Sequence, residues 1–320
     1  MTRPLRTLVV GLDSACWEYV EPLLARGEMP ALARLLAQGS SRTLESTMPP
    51  WTPVAWASLV TGKNPGKHGV LDMVAGEPPR PVGSGDRSGT PLWRWLNEAG
   101  VSTGLVNVPF DHPPGPIDGF ALCGLGAPAA APDLATPPEL GEWLRDCCGG
   151  WEPSVAPEAL AEASPAETYA LEREHQGRQV ELACALQQRR PVDVLVTNLL
   201  LPDHANHQLA DFAAVERAYR DTDADLEVLL DELEPRNVVL LSDHGSTRAR
   251  GVFHLGEWLR DGGWLVRERR GRKGRRDALN SLLVRRATAQ GATSGAAEKL
   301  RRRLRLWRLL LGVDPVAGLE

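Results

Sequence analysis

Three aliphatic runs in this chain of 320 residues stop at a carboxylate, and that repeated ending constrains the fold more than any other feature. LVVGLD starts at Leu8 and closes at Asp13; VDVLVTNLLLPDHANH starts at Val192 and carries Asp203; NVVLLSDHG starts at Asn237 and carries Asp243. Runs this uniformly apolar are the pattern of parallel strands buried on both faces. In an open α/β sheet the carboxyl ends of the strands face the ligand crevice, so three acids at strand ends can meet there. His207 follows Asp203 by four residues, and His244 directly follows Asp243. Asp13, Asp203, His207, Asp243 and His244 together outline a two-metal site.

A chain of this length that is 42% hydrophobic can bury one large core, with or without an insertion. Its net charge of −5 is unevenly spread: between residues 267 and 308, fifteen Arg and Lys stand against three acids, which leaves −17 for the remainder. The body is acidic and the tail basic. Five cysteines with no CxxC argue against a disulfide framework or a thiolate zinc site, and point to a reducing compartment. The opening MTRPLRT has no apolar signal region, and no run reaches the roughly eighteen apolar residues of a membrane span. A soluble, cytoplasmic protein is expected.

Between the strands, leucines at helical spacing predict helix over residues 17–39, and apolar residues from Thr52 to Gly62 predict another with Thr52 as N-cap and Pro53 as its first residue. Residues 75–89 read as a surface loop, PLWRWLNEAG as a helix and VSTGLVNV as a strand. The Ala-, Pro- and Glu-rich stretch over about 127–167 predicts a small helical insertion or cap, followed by a long helix over 166–189 and an amphipathic one over 212–233. The expected domains are a core over 1–266 and a basic tail over 267–320, whose AAEKLRRRLRLWRLLLG forms an amphipathic helix. That helix reads first as a solvated face or a segment docked on the acidic body, second as a weak anchor to anionic membrane, and third as a nucleic-acid binder, which no recognised motif supports.

Asp203 and His207 share one face if the chain is helical there, and a carboxylate with a neutral imidazole suits Zn²⁺ or a similar ion. Thr52 has two readings: a helix cap, or an alkoxide nucleophile at a helix end that favours an anion.

GLDSACWEYVEPLLARGEMPALARLLAQG, TMPPWTPVAWASLVTGKNPGKHGVLD, LLPDHANH and LLSDHG strongly resemble the type I phosphodiesterase/nucleotide pyrophosphatase branch of the alkaline phosphatase superfamily. The similarity continues through GTPLWRWLNEAGVSTGLVNVPFDHPPGPIDG and FHLGEWLRDGGWL, covering most of residues 5–266. It implies an alkaline-phosphatase-like three-layer α/β sandwich with a mostly parallel central sheet. It also implies hydrolysis of a phosphodiester or phosphomonoester through a covalent phospho-threonine on Thr52, with two divalent ions, Zn²⁺ first and Mn²⁺ as the alternative. One ion would take Asp13, Thr52, Asp243 and His244; the other would take Asp203, His207 and a late histidine. The chain departs there, since no histidine follows Val266, and His254 is the nearest candidate, with packing as its other reading. Met73 also stands where nucleotide pyrophosphatases carry a phosphate-binding asparagine, which weakens a nucleotide assignment; the expected substrate is a phosphorylated small molecule or lipid-like compound. The alternative function is a catalytically impaired relative that binds metal and a phosphorylated ligand or partner. His68 is read as structural, and His112 and His175 stay open as ligands.

Overall fold

The computed structural model describes residues 4–208, 212–247 and 251–265. In chain order the elements are β1 (Thr7–Leu12), α1 (Trp17–Ala25), α2 (Pro30–Gln38), α3 (Thr52–Thr61), α4 (Pro65–His68), β2 (Val74–Ala75), β3 (Arg80–Pro81), α5 (Leu92–Glu98), β4 (Thr103–Val108), β5 (Gly119–Cys123), β6 (Ala135–Thr136), α6 (Pro138–Cys148), α7 (Pro157–Glu162), α8 (Pro165–Arg189), β7 (Val194–Leu199), α9 (Leu201–Gln208), α10 (Phe212–Leu233), β8 (Asn237–Leu241) and α11 (Leu255–Asp261). The chain separates into two compact units, one of residues 1–156 and 164–247, the other of 157–163 and 248–320. The boundary expected at 266 and the basic amphipathic helix expected in the tail both lie outside the described residues.

Six strands form the central sheet in the order β6-β5-β4-β7-β1-β8, and every pairing is parallel except β5 with β6. Alternation along the strands sorts their side chains to two faces. Leu8, Val10, Leu122 and Leu195 enter a core with α8 and α10, while Leu105, Ala121, Val194 and Val196 meet Trp56 of α3 and Trp93 of α5. The result is the expected three-layer α/β sandwich. Truncating a residue as closed in as Leu195, which is fully buried, would cost about 2–5 kcal/mol.

The helix expected over 17–39 is two helices. Gly27 turns left-handed at φ 70° and Pro30 starts α2, whose free N–H groups at Ala31 and Leu32 donate to the Asp223 carboxylate of α10 at 3.0 and 2.9 Å. The helical stretch expected over 127–167 is present as α6 and α7. β6 extends the sheet edge and α6 lays Leu140 and Leu144 on the main core, so β6 and α6 belong to the sandwich; α7 falls in the second unit.

The order of the last three strands positions the site. β7, β1 and β8 are neighbours, with Leu12 beside Leu199 and Gly11 beside Leu241, so their carboxyl ends leave the sheet side by side.

Candidate active site

Asp13 follows the last residue of β1, and its N–H donates to the Leu199 carbonyl of β7 at 3.0 Å. The side chain is fully buried. Its Oδ2 accepts from Asn198 Nδ2 at 2.8 Å, while Oδ1 takes no hydrogen bond from a described residue. Burial holds this carboxyl well above the usual range, and the nearby Asp243 and Asp203 push the same way. Ser14 then turns at φ 63°, which aims its N–H at Asp243 Oδ1, 3.3 Å away.

The loop after β8 supplies Asp243 and His244. Asp243 Oδ1 also accepts the His244 N–H at 3.0 Å, and Oδ2 is buried without a hydrogen bond from a described residue. Burial pushes this carboxyl up to about 7. His244 Nε2 lies 3.6 Å from Asp13 Oδ1, 3.5 Å from Asp243 Oδ2 and 3.0 Å from Thr52 Oγ1. His244 Nδ1 lies 3.3 Å from the Gly245 carbonyl, which can only accept. In the neutral ring Nδ1 therefore carries the hydrogen, and Nε2 accepts the Thr52 hydroxyl proton.

Thr52 is not the N-cap that its Thr-Pro spacing predicts. Trp51 is the cap, Thr52 opens α3 and Pro53 stands second, where its missing N–H costs nothing. The hydroxyl instead faces His244 from a helix whose residues are mostly buried.

Asp203 does not end a strand. β7 stops at Leu199, and the chain turns into α9 with Asp203 in its first turn. Leu200 and Leu201 prolong the apolar run past the strand, so composition alone could not place its end. The helical geometry does bring His207 Nε2 to 3.4 Å from Asp203 Oδ1. Burial raises the Asp203 carboxyl, but the hydrogen bond and charge of His207, with His204 and His244, outweigh it and leave it below its ordinary value. His207 itself is mostly exposed.

The ligand atoms of Asp13, Asp203 and His244 lie within 4.8 Å of one another. This group joins members of both expected ion sets. Thr52, Asp243 and His207 each adjoin one of its members. Elsewhere, His254 is the exposed N-cap of α11 in the second unit. His68 is buried, with Nδ1 accepting the Val70 N–H at 3.1 Å and Nε2 2.8 Å from Ser58 Oγ, a structural role. His112 pairs with Asp133, and His175 with the Glu152 carbonyl.

Sequence reasoning passed over Ser14, Asn198 and the pair Glu172–His204, in which His204 Nδ1 stands 2.6 Å from Glu172 Oε2. A signal existed for Asn198, the one amide inside the aliphatic run of β7.

Buried charge is tolerated when it is paired or coordinates a metal. Here Asp13 Oδ1 and Asp243 Oδ2 are both buried without a hydrogen bond from a described residue, with the His244 imidazole 3.6 and 3.5 Å away. This set of carboxylate, imidazole and alkoxide donors suits a divalent ion such as Zn²⁺.

Comparison with known proteins agrees with this architecture. Phosphonoacetate hydrolase from Sinorhizobium meliloti 1021, in complex with phosphonoformate, superposes with a TM-score of 0.51 at 20% identity, over 80% of this chain and 62% of its own. A mutant of the alkaline phosphatase PafA superposes with a TM-score of 0.53 at 17% identity, over 83% of this chain and 66% of its own. The chain thus spans a little over three fifths of the hydrolase's length. No curated protein matches it in sequence. The fold is the one these hydrolase and phosphatase structures share. Residues 7–306 match the type I phosphodiesterase / nucleotide pyrophosphatase family, and the chain belongs to that family.

Proposed function

We propose that this chain is a metal-dependent phosphoester hydrolase in which Thr52 is the nucleophile. The observation that carries the reading is the position of Thr52 Oγ1 at a helix N-terminus, 3.0 Å from His244 Nε2, beside the close group of Asp13, Asp203 and His244. Membership of a phosphodiesterase family supports the same reaction type.

Asp13, Thr52, Asp243 and His244 would hold one divalent ion, and Asp203 with His207 would hold a second; zinc suits both sets, manganese being the alternative. Such ions supply Lewis acidity to the nucleophile and to the phosphoryl oxygens. The chain's own residues do the rest. Thr52 gives up its proton to water and its Oγ1 attacks phosphorus in line; the P–O bond to the leaving alcohol breaks, that alcohol takes up a proton, and Thr52 is left carrying the phosphoryl group, with its second ester where the substrate is a diester. The positive end of the α3 dipole lies at Thr52 and favours the anionic phosphoryl group there. Water then attacks the same phosphorus and returns the threonine hydroxyl. Met73 stands where nucleotide pyrophosphatases of the family carry a phosphate-binding asparagine, which weakens a nucleotide substrate and leaves a phosphorylated small molecule or lipid-like ester as the proposed one.

The rival reading is a relative that binds metal and a phosphorylated ligand without turnover. It draws on the exposure of His207 and on a close ligand group of three residues. Metal analysis together with hydrolysis of nitrophenyl phosphodiester and monoester separates the two. The enzyme reading expects about two ions per chain and turnover abolished in Thr52→Ala. One ion or none with no turnover supports the rival, and activity surviving in Thr52→Ala overturns the nucleophile assignment.

A further inference from the structure

We infer that Asn198 is the positioning residue for Asp13, fixing its carboxylate so that one oxygen is held by the protein and the other is presented to a bound divalent ion. This rests on the metal-dependent reading above and adds to it a residue that touches neither substrate nor ion.

Four observations converge on Asn198. Its side chain is fully buried in β7, directly across from Gly11 of β1 in the sheet register. Its Nδ2 donates to Asp13 Oδ2 at 2.8 Å. Only the NH₂ end of an amide can face an ionised carboxylate, so the orientation is chemically fixed. Asp13 Oδ1, the oxygen Asn198 does not touch, is the one that lies 3.6 Å from His244 Nε2.

The amide cannot easily move. A Cβ at Gly11 would fall on Asn198 Oδ1 and would sit 2.7 Å from Trp56 Cζ2, so the amide and the indole close over a position that admits only glycine. From the other side, the Asn198 carbonyl accepts Gln179 Nε2 at 2.9 Å and Asn107 Nδ2 at 3.3 Å, and Gln179 also holds Thr197 Oγ1 at 2.8 Å. Backbone and side chain are thus pinned by separate groups. Asn198 Oδ1 itself is buried with no hydrogen bond from a described residue. An amide kept at that cost in the middle of an aliphatic strand serves its other end. Outer groups that orient metal ligands typically change metal affinity about 10- to 100-fold when removed.

The test measures zinc affinity of the full chain by chelator competition, alongside thermal denaturation of the metal-free protein. Asn198→Leu keeps the approximate volume and removes the donor; Asn198→Ala serves if the leucine variant does not fold. Thr197→Val is the control, since it breaks a neighbouring bond to Gln179 without touching Asp13. The inference expects zinc to bind about 10- to 100-fold more weakly in the Asn198 variant, with metal-free stability held or raised and with Thr197→Val close to wild type in affinity. Wild-type zinc affinity in a folded Asn198 variant overturns it, as does an equal loss in Thr197→Val. A wild-type chain that takes up no zinc overturns both this inference and the hydrolase reading, whereas zinc uptake unchanged by the Asn198 substitution removes the inference alone.

Discussion

The Thr52 hydroxyl and the His244 imidazole meet at 3.0 Å across 192 residues of sequence, joining the start of a buried helix to the loop after an edge strand. With Nδ1 directed at the Gly245 carbonyl, Nε2 is the ring nitrogen that faces Thr52 and the proposed ion. His244→Ala removes a proposed metal ligand beside the nucleophile and should therefore lower phosphoester turnover by about 10²-fold or more. Steady-state kinetics on a nitrophenyl phosphodiester check this, and a rate within a few fold of wild type would refute the assigned role.

Asp223 does the work of a helix cap from a different helix. Its two oxygens accept the N–H groups of Ala31 and Leu32 at 3.0 and 2.9 Å, in place of the side-chain cap that Met29 cannot supply. Asp223→Ala should cost about 1–2 kcal/mol in urea denaturation. A loss of only a few tenths would mean that water satisfies those donors equally well.

Glu172 and His204 tie α8 to α9 through a contact of 2.6 Å between largely buried groups. The carboxylate holds the imidazole pKa up at about 9 despite the opposing effect of burial, so the pair is charged at neutral pH. Removing one member leaves the other charge uncompensated, and Glu172→Ala should destabilise by roughly 3 kcal/mol. Because α9 carries Asp203 and His207, zinc affinity should fall in the same variant. Unchanged stability at pH 7 would show that the pair contributes nothing there.

Asp111 gives a pH dependence of known sign. It lies fully buried against Arg87, and burial, only partly offset by the guanidinium, raises its carboxyl from 3.8 to about 6. A carboxyl whose pKa is higher in the folded chain contributes stability that is complete below the unfolded value and is lost as pH rises through the folded one. The contribution lost between about pH 4 and pH 6 is worth roughly 3 kcal/mol. Asp111→Asn should flatten the stability curve over that window by about this amount. Denaturation curves of parallel slope for the two proteins would contradict it.

Much of this architecture was legible because buried parallel strands are written almost entirely in aliphatic residues. The runs at Leu8, Val192 and Asn237 named three neighbouring strands; Asp13 and Asp243 follow the ends of β1 and β8, whereas Asp203 joins them from the first turn of α9. What could not be read was set by tertiary contacts. The break between α1 and α2 depends on Asp223, almost two hundred residues away, and the end of β7 is masked by Leu200 and Leu201, which lead into the next helix. Thr-Pro looks like a cap in any sequence, and only the fold shows Trp51 taking that place while Thr52 turns to His244. Asn198 was visible as a polar residue in an apolar run, but nothing local connects it to Asp13, 185 positions earlier.

The central claim is that Thr52 forms a covalent bond to phosphorus. The direct measurement is rapid acid quench of the zinc-loaded protein during turnover of a nitrophenyl phosphodiester, followed by peptide mass mapping. A phosphoryl group that still carries the substrate's second ester on Thr52 in the wild type, and none in Thr52→Ala, is the predicted result. Sustained turnover with no phosphorylated Thr52 at any quench time, and with a burst-free progress curve, would contradict it.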